Sequence, residues 1–147
     1  MLEIELSNRQ TRHAVDESRL ISAARFVLSE AGIRSGEVSL VVVDDSEIHE
    51  LNRRYLDHDH ATDVLSFVLD REGSRLDGEV IVSADTAAVA AAKYGWKLDD
   101  ELLLYVIHGT LHLVGFDDLA PDDQAKMRAR ERHYLQRYQL EPRYEDP

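Results

Sequence analysis

Two histidines, His108 and His112, stand four residues apart in the sequence. On a helix this spacing places both imidazoles on one face, one turn above the other. Gly115 follows and favours a left-handed conformation, at which a helix can end and the chain can turn back. Such a turn would bring Asp117 or Asp118 toward the two imidazoles. Two neutral imidazoles and one carboxylate form a three-ligand metal site with a fourth position left for water.

The chemistry expected of this site is hydrolysis. A divalent metal ion held by three ligands lowers the pKa of its bound water toward neutrality, which supplies a nucleophilic hydroxide. Histidine pairs at this spacing also occur on helices that bind no metal, but the glycine and the two aspartates that follow favour a ligand role. Nitrogen-rich ligands with one oxygen favour a single Zn²⁺ ion, and other divalent metals such as nickel or iron fit the same spacing.

The hydrophobic pattern predicts the elements that must hold these side chains in place. Strands are predicted at 2–6, 38–43, 64–68 and 79–83, with a turn at 72–76. Helices are predicted at 16–31, from Asp44 through Tyr55, at 85–93, at 99–114 and from Pro121 onward. The helix at 99–114 carries too many apolar residues for one narrow stripe and is therefore expected to be mostly buried. Four strands interspersed with five helices indicate an α+β or a mixed α/β fold.

Length and composition restrict the class of protein. A chain of 147 residues fits one domain, taken as 1–147, and can bury a core. The absence of cysteine excludes a disulfide framework and a thiolate metal site, and together with the lack of an apolar span or secretion signal it indicates a cytoplasmic protein. The net charge of −12 argues against a general nucleic-acid binder, so any contact with RNA must use locally concentrated positive charge.

Four segments of the sequence resemble one known family. The run from His108 to Asp118 resembles the motif His-Gly-x-Leu-His-Leu-x-Gly-(Tyr/Phe)-Asp-His of the YbeY-type bacterial rRNA-maturation endoribonucleases, and it departs from that motif only at its last position. The segments 51–55 and 62–67 are similar to the family's Leu-Asn-x-x-Tyr and Thr-Asp-Val-Leu-Ser-Phe sequences, and 78–83 is similar to its Gly-Asp-Ile-x-Ile-Ser strand. These segments occur in the family's order between residues 51 and 118.

The resemblance implies a fold, an activity and a set of partners. It favours an α+β fold, with a small mixed four-stranded sheet surrounded by about five helices and a metal site on a central buried helix. The implied activity is single-strand-specific, metal-dependent endonucleolytic cleavage of RNA, in rRNA maturation and ribosome quality control. The implied partners are single-stranded RNA or an rRNA precursor, and the small ribosomal subunit or its assembly factors, with no membrane involved.

The resemblance also implies roles for individual residues. His108 and His112 take the positions of metal ligands, and Asp118 stands where the family has its third histidine, so we assign it as the third ligand by geometry. Asp117 matches the family's own aspartate and is expected to assist catalysis by orienting the turn or a ligand. Leu56 stands where the family usually has a phosphate-contacting arginine, and Arg53, one helical turn earlier, is predicted to take over that catalytic role. The substrate contacts predicted in and beside these segments are Asn52, Arg54, Thr62, Asp63 and Ser66.

Two other functions fit part of the pattern. A non-catalytic ribosome-assembly factor could keep the metal as a structural element, and the replacements at Leu56 and Asp118 agree with that possibility. A metalloprotease is the other alternative, but zinc proteases of the His-Glu-x-x-His type use the glutamate after the first histidine as a base, and Gly109 stands there instead. Glycine costs a helix about 1 kcal/mol relative to alanine. We expect Gly109 to let a substrate approach the backbone closely.

Overall fold

The computed structural model describes residues 1–56 and 63–144. Thr62 lies outside these residues, so its predicted contact with RNA stays a prediction. The elements, in chain order, are β1 (Leu2–Asn8), α1 (Glu17–Glu30), β2 (Gly36–Val43), α2 (Asp45–Leu56), β3 (Val64–Glu72), β4 (Arg75–Ser83), α3 (Ala84–Tyr94), α4 (Leu98–Leu113) and α5 (Pro121–Gln136). None of the helices in the described ranges is long and apolar enough to cross a membrane.

The four strands form one mixed sheet in the order β1-β2-β4-β3. Strand β2 pairs in parallel with both β1 and β4, whereas β3 pairs with β4 in antiparallel orientation and forms one edge. The crossover from β1 to β2 runs through α1, as parallel pairing requires. This arrangement confirms the predicted α+β fold with a small mixed sheet and five helices in the described part of the chain.

The hairpin between β3 and β4 is longer than the sequence suggested. The predicted turn at 72–76 is wrong in extent, because Glu72 pairs with Arg75 inside the ladder and leaves only two residues between the strands. Gly73, with a φ of 58°, closes this short turn. The outer half of edge strand β3 is exposed on both faces, so its polar residues resemble a turn in the sequence.

The sheet separates two hydrophobic clusters. On one face, alternate residues of β2 and β4 such as Leu40 and Val80 pack with α1, α3, α4 and α5 in the main core. On the other face, Val41, Val43 and Ile81 pack against Ile48 of α2. Strand β2 is therefore covered on both faces, which explains its continuous apolar sequence. It follows that α2 and α4 lie on opposite faces of the sheet.

Helix α4 is the central element of the main core. Twelve of its sixteen residues are buried, which confirms the expectation of a mostly buried helix. Its C-terminal end is set by Gly115, whose φ of 104° lies in the left-handed region. There the Phe116 amide donates to the Leu111 carbonyl at 3.0 Å, and the Gly115 amide donates to the His112 carbonyl at 3.1 Å. This closed end redirects the chain toward Asp118.

Gly109 lies at the contact between α4 and the sheet. A Cβ atom at this position would come within 2.5 Å of Val80 Cγ1 and 2.9 Å of Val64 Cγ1. The Ser66 hydroxyl donates to the Gly109 carbonyl at 2.9 Å and fixes the same contact. The expected close approach at Gly109 is therefore made by the sheet and not by a substrate, which corrects the sequence interpretation. Glycine lets α4 pack directly on β3 and β4, so the helix has a rigid base.

We expect Gly109→Ala to destabilise the protein. The added methyl group overpacks the contact with Val80, which costs about 1–3 kcal/mol, and the better helix propensity of alanine offsets only about 1 kcal/mol of that cost. Urea unfolding followed by circular dichroism measures the change. The double variant Gly109→Ala/Val80→Ala provides the control, because it should be more stable than the sum of the two single changes predicts. Strict additivity would show that this contact does not govern the position of α4.

Candidate metal centre

Three side chains converge at the C-terminal end of α4. The Nε2 atoms of His108 and His112 are 3.1 Å apart. Asp118, after the turn, places Oδ2 3.3 Å from His108 Nε2 and Oδ1 3.6 Å from His112 Nε2. The side chains are 27%, 29% and 33% exposed, so the cluster is partly buried and still accessible from solvent. The sequence expectation that these three residues come together is confirmed by this grouping.

The spacing of these atoms fits a tetrahedral cation. Ligands at about 2.0–2.2 Å from a zinc ion, arranged tetrahedrally, are separated from one another by about 3.3–3.5 Å. The two imidazole nitrogens are 3.1 Å apart, and each lies close to a different oxygen of Asp118, at 3.3 and 3.6 Å, so all three contacts are near that value. Two imidazole nitrogens and one carboxylate oxygen are also a donor set that zinc accepts. With three protein ligands, one coordination position remains available to water or a substrate.

Glu131 of α5 holds His108 in the orientation that a ligand needs. The Nδ1 atom of His108 is 2.6 Å from Glu131 Oε2. When Nδ1–H donates to this carboxylate, Nε2 carries the free lone pair that faces the other two ligand atoms. Glu131 is itself buried, with its side chain 4% exposed, and its second oxygen accepts a hydrogen bond from the Tyr144 hydroxyl. The carboxylate is thus fixed from both sides.

The charges around His108 favour a cation at this position. Burial by itself lowers the pKa of His108. The hydrogen bond and the negative charge of Glu131 act in the opposite direction, and the charges of Asp118 and Asp63 add to them. The net effect raises the pKa of His108 above its ordinary value. Since the same carboxylates that favour a protonated imidazole attract a metal ion, the electrostatics agree with the ligand geometry.

The chain matches one protein family over most of its length. The family model described as Endoribonuclease YbeY matches residues 5–139, which include both histidines, Asp118 and Glu131. The chain belongs to the YbeY endoribonuclease family. A relative named Endoribonuclease YbeY from Chlorobaculum tepidum is 37% identical over 127 residues, which cover 86% of this chain and 92% of that protein. Another of the same name, from Salinibacter ruber, is 41% identical over 82% of each chain.

A solved structure supports the same fold. A solution structure of a Thermotoga maritima protein superposes with a TM-score of 0.60 and 26% sequence identity. The superposition covers 95% of this chain and 92% of the other. The YbeY family assignment therefore rests on sequence over most of the chain and agrees with the architecture.

Two further residues expected at the site lie close to it. Asp117 is exposed, and its Oδ1 accepts hydrogen bonds from the amides of Asp118 at 2.7 Å and Leu119 at 3.2 Å. It thereby holds the turn that presents Asp118, and its expected role in catalysis stays a prediction. Asp63, immediately before β3, is exposed and borders the same cavity as His108. Its predicted contact with RNA stays a prediction.

The structure does not bring the predicted contacts on α2 to the metal centre. Arg53 forms an ion pair with Glu50 on its own helix, and α2 covers the face of the sheet opposite α4. Arg54 borders a different cavity, beside Phe67. Asn52 is 1% exposed, so a contact with RNA would require its side chain to be uncovered. The Ser66 hydroxyl donates a hydrogen bond to the carbonyl of Gly109, where α4 packs on the sheet. For these four residues, a role in catalysis or binding stays a prediction.

The sequence interpretation missed Glu131 and Tyr144. Both lie beyond the recognised motif, and only the packing of α5 and the following segment against α4 brings them to His108. One signal for Glu131 was available: it falls between Met127 and Tyr134 on the apolar face of α5, where an acidic residue is unusual.

We expect Glu131→Gln to weaken zinc binding about 10–100-fold, the usual effect of losing a partner that orients a ligand. The amide keeps the size of the side chain but removes the charge that favours a cation at His108. A competition titration with a chromogenic chelator measures the zinc affinity. Tyr144→Phe serves as the graded comparison, because it removes one hydrogen bond and leaves the carboxylate, and it should have a smaller effect. An unchanged affinity in Glu131→Gln would contradict the orienting role.

Proposed function

We propose that this protein is a single-strand-specific, metal-dependent endoribonuclease that hydrolyses phosphodiester bonds in rRNA maturation and ribosome quality control. The observation that carries the proposal is the convergence of His108, His112 and Asp118 into a three-ligand cluster that is accessible from solvent. The membership in a family whose relatives are named for endoribonuclease activity supports the reaction class. We propose Zn²⁺ as the single metal ion, because the donor atoms and their spacing suit it.

The residues around the cluster have separate tasks in this proposal. When bound, the metal ion would lower the pKa of a water molecule and neutralise charge on the phosphate group. His108, His112 and Asp118 would hold the ion. Glu131 keeps the His108 ring oriented, and Asp117 keeps the turn closed. Arg53 is proposed to assist at the substrate phosphate. The residues proposed to contact RNA are Asn52, Arg54, Thr62, Asp63 and Ser66.

The substrate and partners follow from the same proposal. We take the substrate to be single-stranded RNA, in particular precursor rRNA, and the partners to be the small ribosomal subunit or its assembly factors. We place the activity in the cytoplasm and attribute it to one domain that spans residues 1–147. The net charge of −12 requires the RNA contacts to depend on a few arginines, so binding is expected to be sensitive to salt.

A structural role for the metal is the second candidate. The carboxylate of Asp118 is one of the three proposed ligands, and that of Glu131 contacts the ligand His108. Their negative charge reduces the ability of a metal ion to acidify its bound water. That observation favours a non-catalytic assembly factor with a structural metal.

The metalloprotease alternative is disfavoured, because Gly109 is packed against the sheet and no general base can occupy its position.

Metal depletion followed by addition of zinc tests these candidates. The metal-free and zinc-loaded forms are incubated with single-stranded RNA, double-stranded RNA and casein. Cleavage of single-stranded RNA only in the zinc-loaded form supports the proposed function. Loss of thermal stability on depletion, without cleavage of any substrate in either form, would support the structural role instead. Cleavage of casein would favour the protease.

A further inference from the structure

A cavity of about 310 Å³ adjoins the metal centre, and several residues of its wall, among them Glu101, Arg128 and Arg143, have no function assigned above. His108 and Asp118 form one part of its wall, and the rest is formed by residues at the start of β3 and by residues of α3, α4, α5 and the C-terminal segment. Its volume is at the lower end of the range of about 300–1,000 Å³ that small-molecule sites occupy. A single nucleotide of an RNA strand bound at the metal centre is a ligand of suitable size.

Two arginines border this cavity. Arg128 is exposed, its guanidinium lies 4.2 Å from the centre of the Tyr144 ring, and no carboxylate of the described residues lies within ion-pair distance of it. Arg143 donates from one nitrogen to the carbonyls of Tyr94 and Gly95 at 3.1 and 3.0 Å, which leaves its other N–H groups for a ligand. Guanidinium groups suit phosphate recognition because their N–H donors match its oxygens.

The inner wall of the cavity contains a buried carboxyl group. Glu101 is 3% exposed, and its Oε2 accepts a hydrogen bond from Trp96 Nε1 at 2.6 Å. Burial raises the pKa of Glu101, partly offset by hydrogen bonds from Trp96 and Tyr105. No cation of the described residues pairs with it, although a buried acidic residue normally has such a partner. A carboxylate offers about four acceptor positions, so it can accept further N–H groups from a ligand.

We propose that this cavity is a single-nucleotide subsite, in which Arg128 and Arg143 contact the phosphate and Glu101 accepts a hydrogen bond from the exocyclic amino group of the base. The inference rests on the proposed endoribonuclease function and adds the substrate feature that the enzyme recognises. Tyr94 and Tyr105 supply aromatic surface for the base beside the carboxylate. Carboxylate side chains accept from the N4 amino group of cytosine, whereas uracil carries a carbonyl oxygen at that position. The subsite therefore selects cytosine over uracil.

The phosphate contact is tested with Arg128→Ala. Binding of a fluorescent single-stranded oligoribonucleotide is followed by anisotropy at several salt concentrations. We expect a loss of affinity of about tenfold and a decrease of about one in the slope of log K against log salt. Arg132→Ala is the matched control: it lies on the same helix, is exposed and pairs with Glu141 at 3.5 Å, and it does not border the cavity. Equal effects of the two changes would overturn the phosphate contact.

The base contact is tested with Glu101→Gln, which keeps the size of the side chain. The zinc-loaded protein is given oligoribonucleotides that differ only in cytosine or uracil at successive positions around the cleaved bond. We expect cytosine to be preferred about tenfold at one position and the variant to lose that preference, because an amide both donates and accepts. Circular dichroism confirms that the variant folds.

The outcomes separate this inference from the proposed function. Absence of cleavage by the zinc-loaded wild type would overturn the function. Anisotropy titrations of the wild type and Glu101→Gln with the same cytosine- and uracil-containing oligoribonucleotides would then still decide the subsite. Cleavage without any preference for cytosine, together with identical binding by Arg128→Ala and Arg132→Ala, would overturn the subsite and leave the function standing.

Discussion

His112→Ala should abolish both stable zinc binding and zinc-dependent RNA cleavage. The change removes one of three side chains whose ligand groups approach one another to 3.1–3.6 Å around the cation position. If three ligands share an apparent binding free energy of about 10 kcal/mol, the loss of one costs about 3 kcal/mol, or more than a hundredfold in affinity. We expect cleavage at limiting zinc to fall at least as far. Metal analysis of the purified variant and timed cleavage of single-stranded RNA measure the two effects.

His133→Ala is the matched control for this experiment. His133 is an exposed histidine on α5 that contacts Glu30, 3.1 Å away, and it takes no part in the cluster. Its loss should leave zinc content and cleavage unchanged. The comparison also addresses contamination by other ribonucleases, because both variants pass through the same purification. Cleavage by His112→Ala at the wild-type rate would show that the active centre lies elsewhere or that the activity belongs to a contaminant.

The metal ligands could be predicted because they are local in the sequence. His108 and His112 share a helix face at a spacing fixed by helix geometry, and Gly115 marks the point at which the chain reverses. Asp118 then follows within a short turn. Local geometry restricts such a segment to few arrangements, so the pattern contained most of the information on the three ligands.

The rest of the site depends on tertiary packing. Glu131 reaches His108 only because α5 packs on α4, and nothing in the local sequence fixes that contact. The segment that contains Arg53 is distant from the metal motif in the sequence, and the sheet separates α2 from α4, so the sequence alone does not place this arginine relative to the metal centre. A helix that follows a strand can cover either face, and the pattern of its own apolar residues does not determine which.

The fold was predictable where burial is one-sided or complete. The continuous apolar run of β2 and the many apolar residues of α4 identified the two most buried elements. The length of the β3–β4 hairpin was harder to predict, because the outer half of β3 is exposed and its length is set by pairing with β4. Edge strands carry little hydrophobic signal of their own, so cross-strand hydrogen bonds define their ends.

Asp118→Ala should reduce zinc affinity by about the same factor as the loss of a histidine ligand, more than about a hundredfold. Asp118→His should restore it. The family has a histidine at this position, and the 33% exposed side chain of Asp118 leaves room for a larger ring. Zinc competition titrations of both variants, together with cleavage rates at saturating zinc, measure the result.

Asp118→Asn completes the series, because it keeps the size of the aspartate and removes the charge that a good oxygen ligand needs. We expect the wild type and Asp118→His to bind zinc with similar, high affinity. Asp118→Asn should bind it more weakly, and Asp118→Ala should bind it most weakly of the four. The anionic ligand lowers the effective charge of the metal ion, so Asp118→His should also cleave RNA faster than the wild type if the metal is catalytic. Equal zinc affinity in all four proteins would show that Asp118 is not a ligand, and would leave two histidines that cannot hold a hydrolytic metal by themselves.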